Sequence, residues 1–245
     1  MKEKGWFVDW FDTEYYHMLY CKRDDEEAAK FIRTLMDRMQ LERGSKIADI
    51  ACGKGRHSRV LAGLGYLVTG YDLSENSIKY ARKHASGSEV FEVQDMRLPF
   101  PQNDFKAALN LFTSFGYFET LEEDMDCLLN FYNLLQPGGY FIQDYINGQP
   151  VLQNLPIQAK EECNGMHFLT NKTWNDPFVV KEIQVTTPTE VKHFKEKVKI
   201  YKADDLLAMH TQCGFVTQQV FGSYQFTEYD AATSPRLIIV SQKPK

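Results

Sequence analysis

Hydrophobic and polar positions in the first 145 residues follow two alternating periods. Apolar residues recur at helical spacing over residues 24–39, whereas the short apolar runs at 47–51 and 66–72 are typical of buried strands. Three further strands are expected, at 89–93, 105–111 and 140–144. Strands that alternate with helices in this way predict an α/β fold with a doubly wound, mostly parallel sheet.

The predicted helices carry start and stop signals. Ser74 is expected to cap a helix that runs to about residue 85. Thr120 and Glu123 have the spacing of a capping box, which predicts that a helix begins there. The Pro-Gly-Gly sequence at residues 137–139 is expected to stop this helix before the fifth strand begins.

The pattern changes after residue 150. Residues 182–185 and 197–200 alternate polar and apolar side chains, as half-buried antiparallel strands do. The α/β pattern then resumes, with a helix at 203–213 and strands at 215–221 and 236–242, which brings the expected sheet to seven strands. We therefore expect three parts: an N-terminal helical and aromatic segment (1–45), an α/β core (46–148 and 202–245) and an inserted antiparallel β-lobe (149–201).

Composition and charge limit the class of protein. The chain has 245 residues, of which 43% are hydrophobic and 25% charged, as in an ordinary globular protein. Its net charge of −5 disfavours nucleic acid as a partner, because a general nucleic-acid binder needs a basic surface. Acidic residues interrupt the N-terminus at Glu3, Asp9 and Asp12, where a signal peptide would be apolar. We expect a cytoplasmic protein with no membrane partner.

The cysteines and histidines do not form a recognisable metal or disulfide pattern. The histidines lack ligand spacing, so no metal site is expected. The odd number of scattered cysteines, with no Cys-x-x-Cys pair, predicts reduced thiols. These cysteines are Cys21, Cys52, Cys127, Cys163 and Cys213.

A glycine-rich turn is the first candidate for a binding site. Gly53 and Gly55 lie between a predicted strand and a predicted helix, where glycine lets the backbone approach a ligand closely. The same glycines could also form a tight turn with no ligand. Asp72 ends the second strand, 17 residues after Gly55, where a carboxylate can accept hydrogen bonds from ribose hydroxyls. The alternative is that Asp72 only begins the next helix, but Ser74 can already do so.

Ser58, three residues after Gly55, narrows the choice of nucleoside cofactor. Ser58 stands where the dinucleotide fingerprint has its third glycine, which weakens the case for NAD. The segments at 49–58 and 68–74 resemble the class I S-adenosylmethionine-dependent methyltransferases, in particular a small-molecule branch with a Cys-Gly-x-Gly-Arg-His loop. Segments 94–96, 110–112, 135–139 and 214–215 match the same family in order. The resemblance covers residues of about 40–145 and 200–243.

This resemblance implies a Rossmann-like methyltransferase fold and S-adenosylmethionine as the cofactor. The glycine loop would contact the methionine part, Asp49 its amino group and Asp72 the ribose. Leu73, Asp95 and Met96 would surround the adenine. Arg56 would either reach the cofactor carboxylate or the substrate, or simply be exposed. The residues implied at the cofactor are Asp49, Ala51, Gly53, Gly55, Arg56, Asp72, Leu73, Asp95, Met96, Asn110, Leu111, Phe112 and, from an N-terminal segment that is either a lid or a packed helix, Tyr16.

The resemblance also implies in-line displacement of the methyl group onto an acceptor held between the fourth strand and the β-lobe. A small-molecule acceptor is expected, while a protein or RNA acceptor, or a non-catalytic module that binds the cofactor, remains an alternative. Monomer and homodimer are both open, and no catalytic base is assigned. The residues expected at the acceptor are His57, Tyr117, Tyr145, Asn147 and Trp174, although His57 could instead bond only to neighbouring backbone and Trp174 could instead belong to the core.

Overall fold

The computed structural model describes residues 5–20 and 25–245. The helices are α1 (Trp6–Phe11), α2 (Glu14–Leu19), α3 (Asp25–Met39), α4 (Arg56–Gly63), α5 (Glu75–Lys83), α6 (Leu121–Leu134), α7 (Gly148–Gln153) and α8 (Ala203–Gln212). The strands are β1 (Lys46–Ile50), β2 (Leu67–Asp72), β3 (Glu89–Val93), β4 (Phe105–Asn110), β5 (Leu135–Ile146), β6 (Ile157–Cys163), β7 (Met166–Asn175), β8 (Phe178–Thr186), β9 (Val191–Lys199), β10 (Val216–Phe221) and β11 (Arg236–Gln242).

Seven strands form one sheet in the order β10-β11-β5-β4-β1-β2-β3. Strand β11 runs antiparallel to both of its neighbours, and the pairs among β1 to β5 are parallel. The predicted fold class is therefore confirmed. The strand order reverses direction between β1 and β4, and the crevice outside the carboxyl ends of the strands at such a point is where ligands bind in open α/β sheets.

Helices cover both faces of this sheet. On one face, Phe31, Ile32 and Leu35 of α3 pack with buried side chains of the central strands. On the other face, Leu128 and Phe131 of α6 pack in a second core cluster. The predicted caps are present, since the Ser74 hydroxyl accepts from Ser77 N and the Thr120 hydroxyl accepts from Glu123 N.

One predicted boundary in the sheet is wrong. Strand β5 begins at Leu135, directly after α6, so the Pro-Gly-Gly sequence lies inside the strand and does not precede it. The pairing register with β4 shifts there: Phe105 pairs with Leu135, but Ala107 pairs with Tyr140. This irregularity accommodates the extra residues, as a bulge does.

Strands β6 to β9 form a separate four-stranded antiparallel sheet, which we call the β-lobe. The sequence pattern indicated parts of β8 and β9 but not β6 or β7. Strand β6 is largely exposed along its length, so it lacks the apolar alternation that reveals a half-buried strand.

The N-terminal helices α1 and α2 pack against the β-lobe. Trp10, Tyr15 and Leu19 form a buried cluster with Phe168, Ile183 and Val185 of the lobe. The Trp10 indole N–H and the Tyr20 hydroxyl both donate to the carboxylate of Glu196. This segment is therefore a packed helical layer that also reaches the cavity described below.

The prediction of reduced thiols holds for only part of the chain. Cys52, Cys127 and Cys213 are free and buried. Cys163 is disulfide-bonded, so the prediction is wrong at that position, and Cys21 lies outside the described residues. Within residues 5–20 and 25–245, no helix combines the length and apolar character needed to cross a membrane.

A buried ion pair attaches the end of the β-lobe to the core. The Lys199 ammonium contacts the Asp124 carboxylate of α6 at 2.5 Å, and the two side chains are only 6% and 0% exposed. The Tyr201 hydroxyl donates to the same carboxylate at 2.8 Å. Lys199 also donates its backbone N–H to Gly116 O, in the loop after β4.

Because a buried charge without its partner is costly, Asp124→Ala should lower the free energy of unfolding by roughly 3–5 kcal/mol. Urea denaturation followed by circular dichroism measures this change. Lys46→Met, which removes an ion pair whose side chains are 46% and 53% exposed, is the matched control and should change stability by less than about 1 kcal/mol. Equal effects of the two substitutions would contradict the anchoring role of Asp124.

Candidate active site

The glycine loop is held in place by the carboxylate of Asp72. Gly53 N donates to Asp72 Oδ2 at 2.7 Å, and Ser74 N donates to Asp72 Oδ1 at 2.8 Å. The Cys52 amide donates to Tyr71 O at 3.0 Å. The carboxyl ends of β1 and β2 are thereby joined, and the loop leads directly into α4.

The two glycines are needed for different reasons. Both have positive φ, at 54° for Gly53 and 76° for Gly55. A Cβ added to Gly55 would lie 2.6 Å from the ring of Phe91, so the close packing of helix and strand requires glycine there. A Cβ added to Gly53 would meet nothing within 4 Å, which shows that this residue faces open space.

Asp49 lies beneath the loop, at 1% exposure. Burial raises the pKa of its carboxyl to about 6, although the hydrogen bond from Ser58 opposes the shift. The Ser58 hydroxyl donates to Asp49 Oδ2 at 2.6 Å. The serine that replaces the third glycine of the dinucleotide fingerprint therefore orients a carboxylate at the root of the loop, a role that the sequence analysis did not assign.

The chain turns sharply after β4. Phe112 and Thr113 adopt positive φ values of 57° and 63°, which are unfavourable for residues with a side chain. Asp144 stabilises this turn by accepting from Phe112 N at 2.9 Å. Arg236 bonds the same carboxylate through Nε at 2.7 Å and donates to the Thr113 hydroxyl at 2.9 Å.

The buried Asp144–Arg236 pair was missed by sequence reasoning. Asp144 is fully buried at the end of β5, where the sequence analysis instead selected Tyr145 and Asn147. The two charges are 92 residues apart in the chain, and only the pairing of β5 with β11 brings them together. The one available signal was an acidic residue near the carboxyl end of an apolar strand.

A cavity of about 590 Å³ opens beside these loops. One wall is formed by the glycine loop and the turn after β4, including Gly53, Phe112 and Thr113. Aromatic side chains of the N-terminal helices form a second wall, and the inner face of the β-lobe forms the third. The predicted site residues that line it are Asp49, Ala51, Gly53, Arg56, Leu111, Phe112, Tyr16, His57 and Tyr117.

His57 and Arg56 lie at the start of α4, where they meet the turn after β4. The His57 ring stacks on Phe112 with a centroid separation of 5.1 Å, and the Arg56 guanidinium lies 4.7 Å from the centre of the same ring. Both side chains reach the cavity wall, so Arg56 is not a simple surface residue.

The residues predicted at the adenine do not line the cavity. Asp95 accepts from the Arg97 guanidinium at 2.8 Å, and Arg97 also pairs with Glu123 at 3.0 Å. Leu73 and Met96 pack against a core cluster. The structure does not bring Gly55, Asp72, Leu73, Asp95, Met96 or Asn110 into the wall of the cavity itself, although Asp72 bonds directly to the loop that forms it.

Three residues predicted at the acceptor are also outside the cavity wall. The Tyr145 side chain is buried and donates to Lys199 O, and Asn147 donates to Ala231 O and Ser234 O. Their polar groups therefore donate hydrogen bonds to backbone oxygens of the protein itself. Trp174 is 42% exposed on the β-lobe and does not line the cavity, so neither a core position nor acceptor contact is supported there.

Comparison with known proteins identifies the family. Residues 41–204 match the family model described as a methyltransferase domain, so the chain belongs to that family. YqeM of Bacillus subtilis (strain 168) is 27% identical over 224 residues, which are 82% of this chain and 85% of that protein.

Two solved structures share the fold. An S-adenosylmethionine-dependent methyltransferase from Clostridium acetobutylicum ATCC 824 matches with a TM-score of 0.79 and 16% identity, covering 94% of this chain and 96% of that chain. CalS10 of Micromonospora echinaspora, solved with bound S-adenosylmethionine, is an amino pentose methyltransferase of calicheamicin biosynthesis. It matches with a TM-score of 0.70 and 18% identity, covering 94% of this chain and 97% of that chain.

The chain is thus a methyltransferase, and its crevice has two features that would suit S-adenosylmethionine, the cofactor bound in CalS10. The open space at Gly53 gives the backbone a surface that a ligand can approach. Asn110 Oδ1, at the end of β4, is buried and has no hydrogen-bond partner among the described residues. A buried acceptor of this kind is normally satisfied, and a ligand or water could provide the donor.

The two glycines should respond differently to substitution. Gly55→Ala is expected to lower the free energy of unfolding by roughly 3 kcal/mol, because it adds a clash with Phe91 to the strain of positive φ. Gly53→Ala should lower it by only about 1 kcal/mol, since only the strain applies. Chemical denaturation of both variants measures the difference, and a larger loss at Gly53 would contradict the assignment of the open space.

Proposed function

We propose that this enzyme binds S-adenosylmethionine across the carboxyl ends of β1, β2 and β4 and methylates a small-molecule acceptor held in the adjoining cavity. The main support for the proposal is that the elements assigned to the cofactor also line the cavity assigned to the acceptor. The loop at Gly53 and the turn at Phe112 face a cavity whose other walls are the β-lobe and the N-terminal helices. A concave cavity of about 590 Å³ lined on three sides suits a small acceptor better than the surface of a macromolecule.

The methionine part of the cofactor would lie against the glycine loop. Ala51, Gly53 and Leu111 would contact it through backbone and apolar atoms, and Asp49 would pair with its ammonium group. Arg56, which lines the cavity from the start of α4, is the cation that we assign to its carboxylate. The free acceptor of Asn110 and the ring of Phe112 would lie beside the sulfonium.

The ribose and adenine would extend along the ends of β2 and β3. Each Asp72 oxygen accepts one backbone N–H, and a carboxylate oxygen can accept more than one hydrogen bond. Asp72 can therefore hold ribose hydroxyls without releasing the loop. Leu73, Asp95 and Met96 remain the proposed surroundings of the adenine, with Asp95 fixed in position by Arg97.

The acceptor would occupy the part of the cavity between His57, Tyr117 and the β-lobe. When bound, S-adenosylmethionine would supply a sulfonium methyl group that a lone pair can take up directly. The enzyme mainly needs to align the acceptor and exclude water, and alignment of this kind can be worth roughly 7–11 kcal/mol. Tyr16 and its neighbours in the N-terminal layer would provide the exclusion.

Similarity to CalS10 supports a small-molecule acceptor, because that structure covers 94% of this chain and belongs to an enzyme that methylates an amino pentose. A catalytic base remains unassigned, because one is needed only where the acceptor atom must lose a proton before the transfer. The cytoplasmic location, the absence of a nucleic-acid partner and the monomeric or dimeric state stay predictions of the sequence.

Two substitutions test the cofactor site. Asp72→Ala removes the proposed ribose acceptor, and Gly53→Val fills the open space beside the loop. Each should weaken binding of S-adenosylhomocysteine at least about tenfold. Asp72→Ala loses hydrogen bonds to a charged group, which contribute about 1.5–3 kcal/mol each, and Gly53→Val blocks the approach of the ligand to the loop. Isothermal titration calorimetry measures the affinity.

Asp104→Ala is the matched control for these variants. Asp104 is a half-exposed carboxylate that pairs with Lys46 at the amino ends of β4 and β1, at the opposite edge of the sheet. This variant should bind S-adenosylhomocysteine as the wild type does. Unchanged affinity in both Asp72→Ala and Gly53→Val would show that the cofactor binds elsewhere.

Cofactor affinity should also depend on the ionisation of Asp49. Its pKa is raised to about 6 by burial, so the carboxyl is largely protonated below that pH in the free protein. The cofactor ammonium requires the ionised form, and binding below pH 6 must therefore release a proton. Affinity should fall by up to about tenfold for each pH unit below 6 and level off above pH 7.

Calorimetry of S-adenosylhomocysteine binding from pH 4.5 to 8 measures this profile. Asp49→Asn keeps the size of the side chain and a hydrogen-bond acceptor for Ser58 but cannot titrate. The variant should bind more weakly at pH 8 and lose most of the dependence between pH 5 and 6. An identical profile in the variant would remove Asp49 from the site.

A further inference from the structure

One row of side chains crosses the inner face of the β-lobe and includes three charged residues that line the cavity. Strand pairing places Ile157 opposite Lys172, Lys172 opposite Lys181, and Lys181 opposite Glu196. All four side chains line the cavity. The acceptor pocket thus has two adjacent lysines at the centre of its lobe wall.

The two lysines differ in their partners. The Lys181 ammonium is 3.0 Å from the Tyr20 hydroxyl and 3.9 Å from the Glu196 carboxylate. Glu196 also accepts from Trp10 and Tyr20, which fixes it in place. Among the described residues, Lys172 has neither an ion pair nor a hydrogen bond, although its side chain is only partly exposed.

Like charges directly opposite each other on neighbouring strands are unfavourable. The carboxylate of Glu196 partly neutralises the charge of Lys181, but no carboxylate among the described residues pairs with Lys172. An anion bound in the cavity would remove this repulsion and give Lys172 a partner. An anion in the pocket would therefore stabilise the two lysines relative to water alone.

The remaining charges in the cavity wall are mostly positive. Arg236 is committed to Asp144, and Arg59 donates to Lys54 O, yet the wall still contains more cations than anions. The charged lining residues are Lys54, Arg56, Arg59, Lys172, Lys181 and Arg236 against Asp49 and Glu196. In a chain with a net charge of −5, this local excess of cations gives the cavity a positive potential that attracts anions.

Apolar side chains surround the lysine row. Val179 pairs with Val198 on the neighbouring strand, and both line the cavity together with Ile157 and Tyr117. A ligand for this wall needs an apolar body next to its charged group. An inorganic anion would leave these surfaces in contact with water.

We propose that the methyl acceptor is an amphipathic organic anion whose carboxylate or phosphate group pairs with Lys172. This inference rests on the proposed function, since it assigns the cavity to the acceptor. Lys172 is then a specificity-determining residue that selects acidic acceptors over neutral ones. The methionine carboxylate of the cofactor is a separate anion, proposed to lie at Arg56 on the glycine loop, so loss of Lys172 should not affect the cofactor.

Three small probes test the charge requirement: phenyl phosphate, phenylacetate and the neutral phenylacetamide. Their affinities are measured by calorimetry on protein saturated with S-adenosylhomocysteine and on the cofactor-free protein. The wild type should bind at least one of the two anions about tenfold or more tightly than phenylacetamide. The anion that binds more tightly distinguishes a phosphate-bearing acceptor from a carboxylate-bearing one.

Variants of Lys172 assign the effect to this residue. Lys172→Met should weaken binding of the preferred anion about tenfold, leave phenylacetamide unchanged and leave the affinity for S-adenosylhomocysteine unchanged. Lys172→Arg should retain most of the preference. The matched control is Lys160→Met, because Lys160 is exposed on the same lobe and pairs with Leu169 on its outer face.

The preference should survive in the cofactor-free protein, so the two proposals can fail separately. Loss of S-adenosylhomocysteine binding in the wild type would contradict the proposed cofactor site and leave the anion measurement valid. Equal affinity of the wild type for all three probes, or an unchanged preference in a folded Lys172→Met variant, would overturn the acidic-acceptor proposal. Circular dichroism confirms that each variant is folded.

Discussion

The hydrogen bond from Gly53 N to the Asp72 carboxylate is the contact on which the geometry of this active site depends. It joins the carboxyl ends of β1 and β2 and turns the glycine loop toward open space. Burial raises the pKa of Asp72, while the backbone N–H groups of Ser74 and Gly53 act in the opposite direction. The same carboxylate therefore shapes the loop and is also the group that we propose to hold the ribose.

The crevice becomes one wall of a cavity because other parts of the chain face it. The β-lobe supplies one wall, and Lys199 attaches its last strand to Asp124 and to the loop after β4. The N-terminal helices supply another wall and bond to the lobe through Glu196. Both parts are added outside the seven-stranded sheet, and the same fold can serve different functions when the elements that surround its site differ.

The parts of the fold and site that sequence could predict are those determined by neighbouring residues. The strand-to-helix turn at Gly53, the caps at Ser74 and Thr120 and the seven-stranded sheet all follow from local spacing. The pairing of Asp95 with Arg97 is also local, but it was missed because Asp95 was considered only as a ligand contact.

The remaining features depend on tertiary contacts. Arg236 reaches Asp144 only because β11 pairs with β5. Lys172 faces Lys181 only in the observed register of β7 and β8, and a shift of one residue would send both side chains to the other face. Strand β6 is too exposed to show a hydrophobic period. Sequence patterns alone carry no information on any of these pairings.

A crystal structure of the protein soaked with S-adenosylhomocysteine would examine the cofactor crevice directly. The account predicts density for the ligand with its amino acid part against Gly53, its amino group near Asp49 and its ribose hydroxyls within hydrogen-bond distance of Asp72. The lobe side of the cavity, next to Lys172, should remain open for the acceptor. Density for the ligand at any other surface, or against the β-lobe with the glycine loop uncontacted, would contradict it.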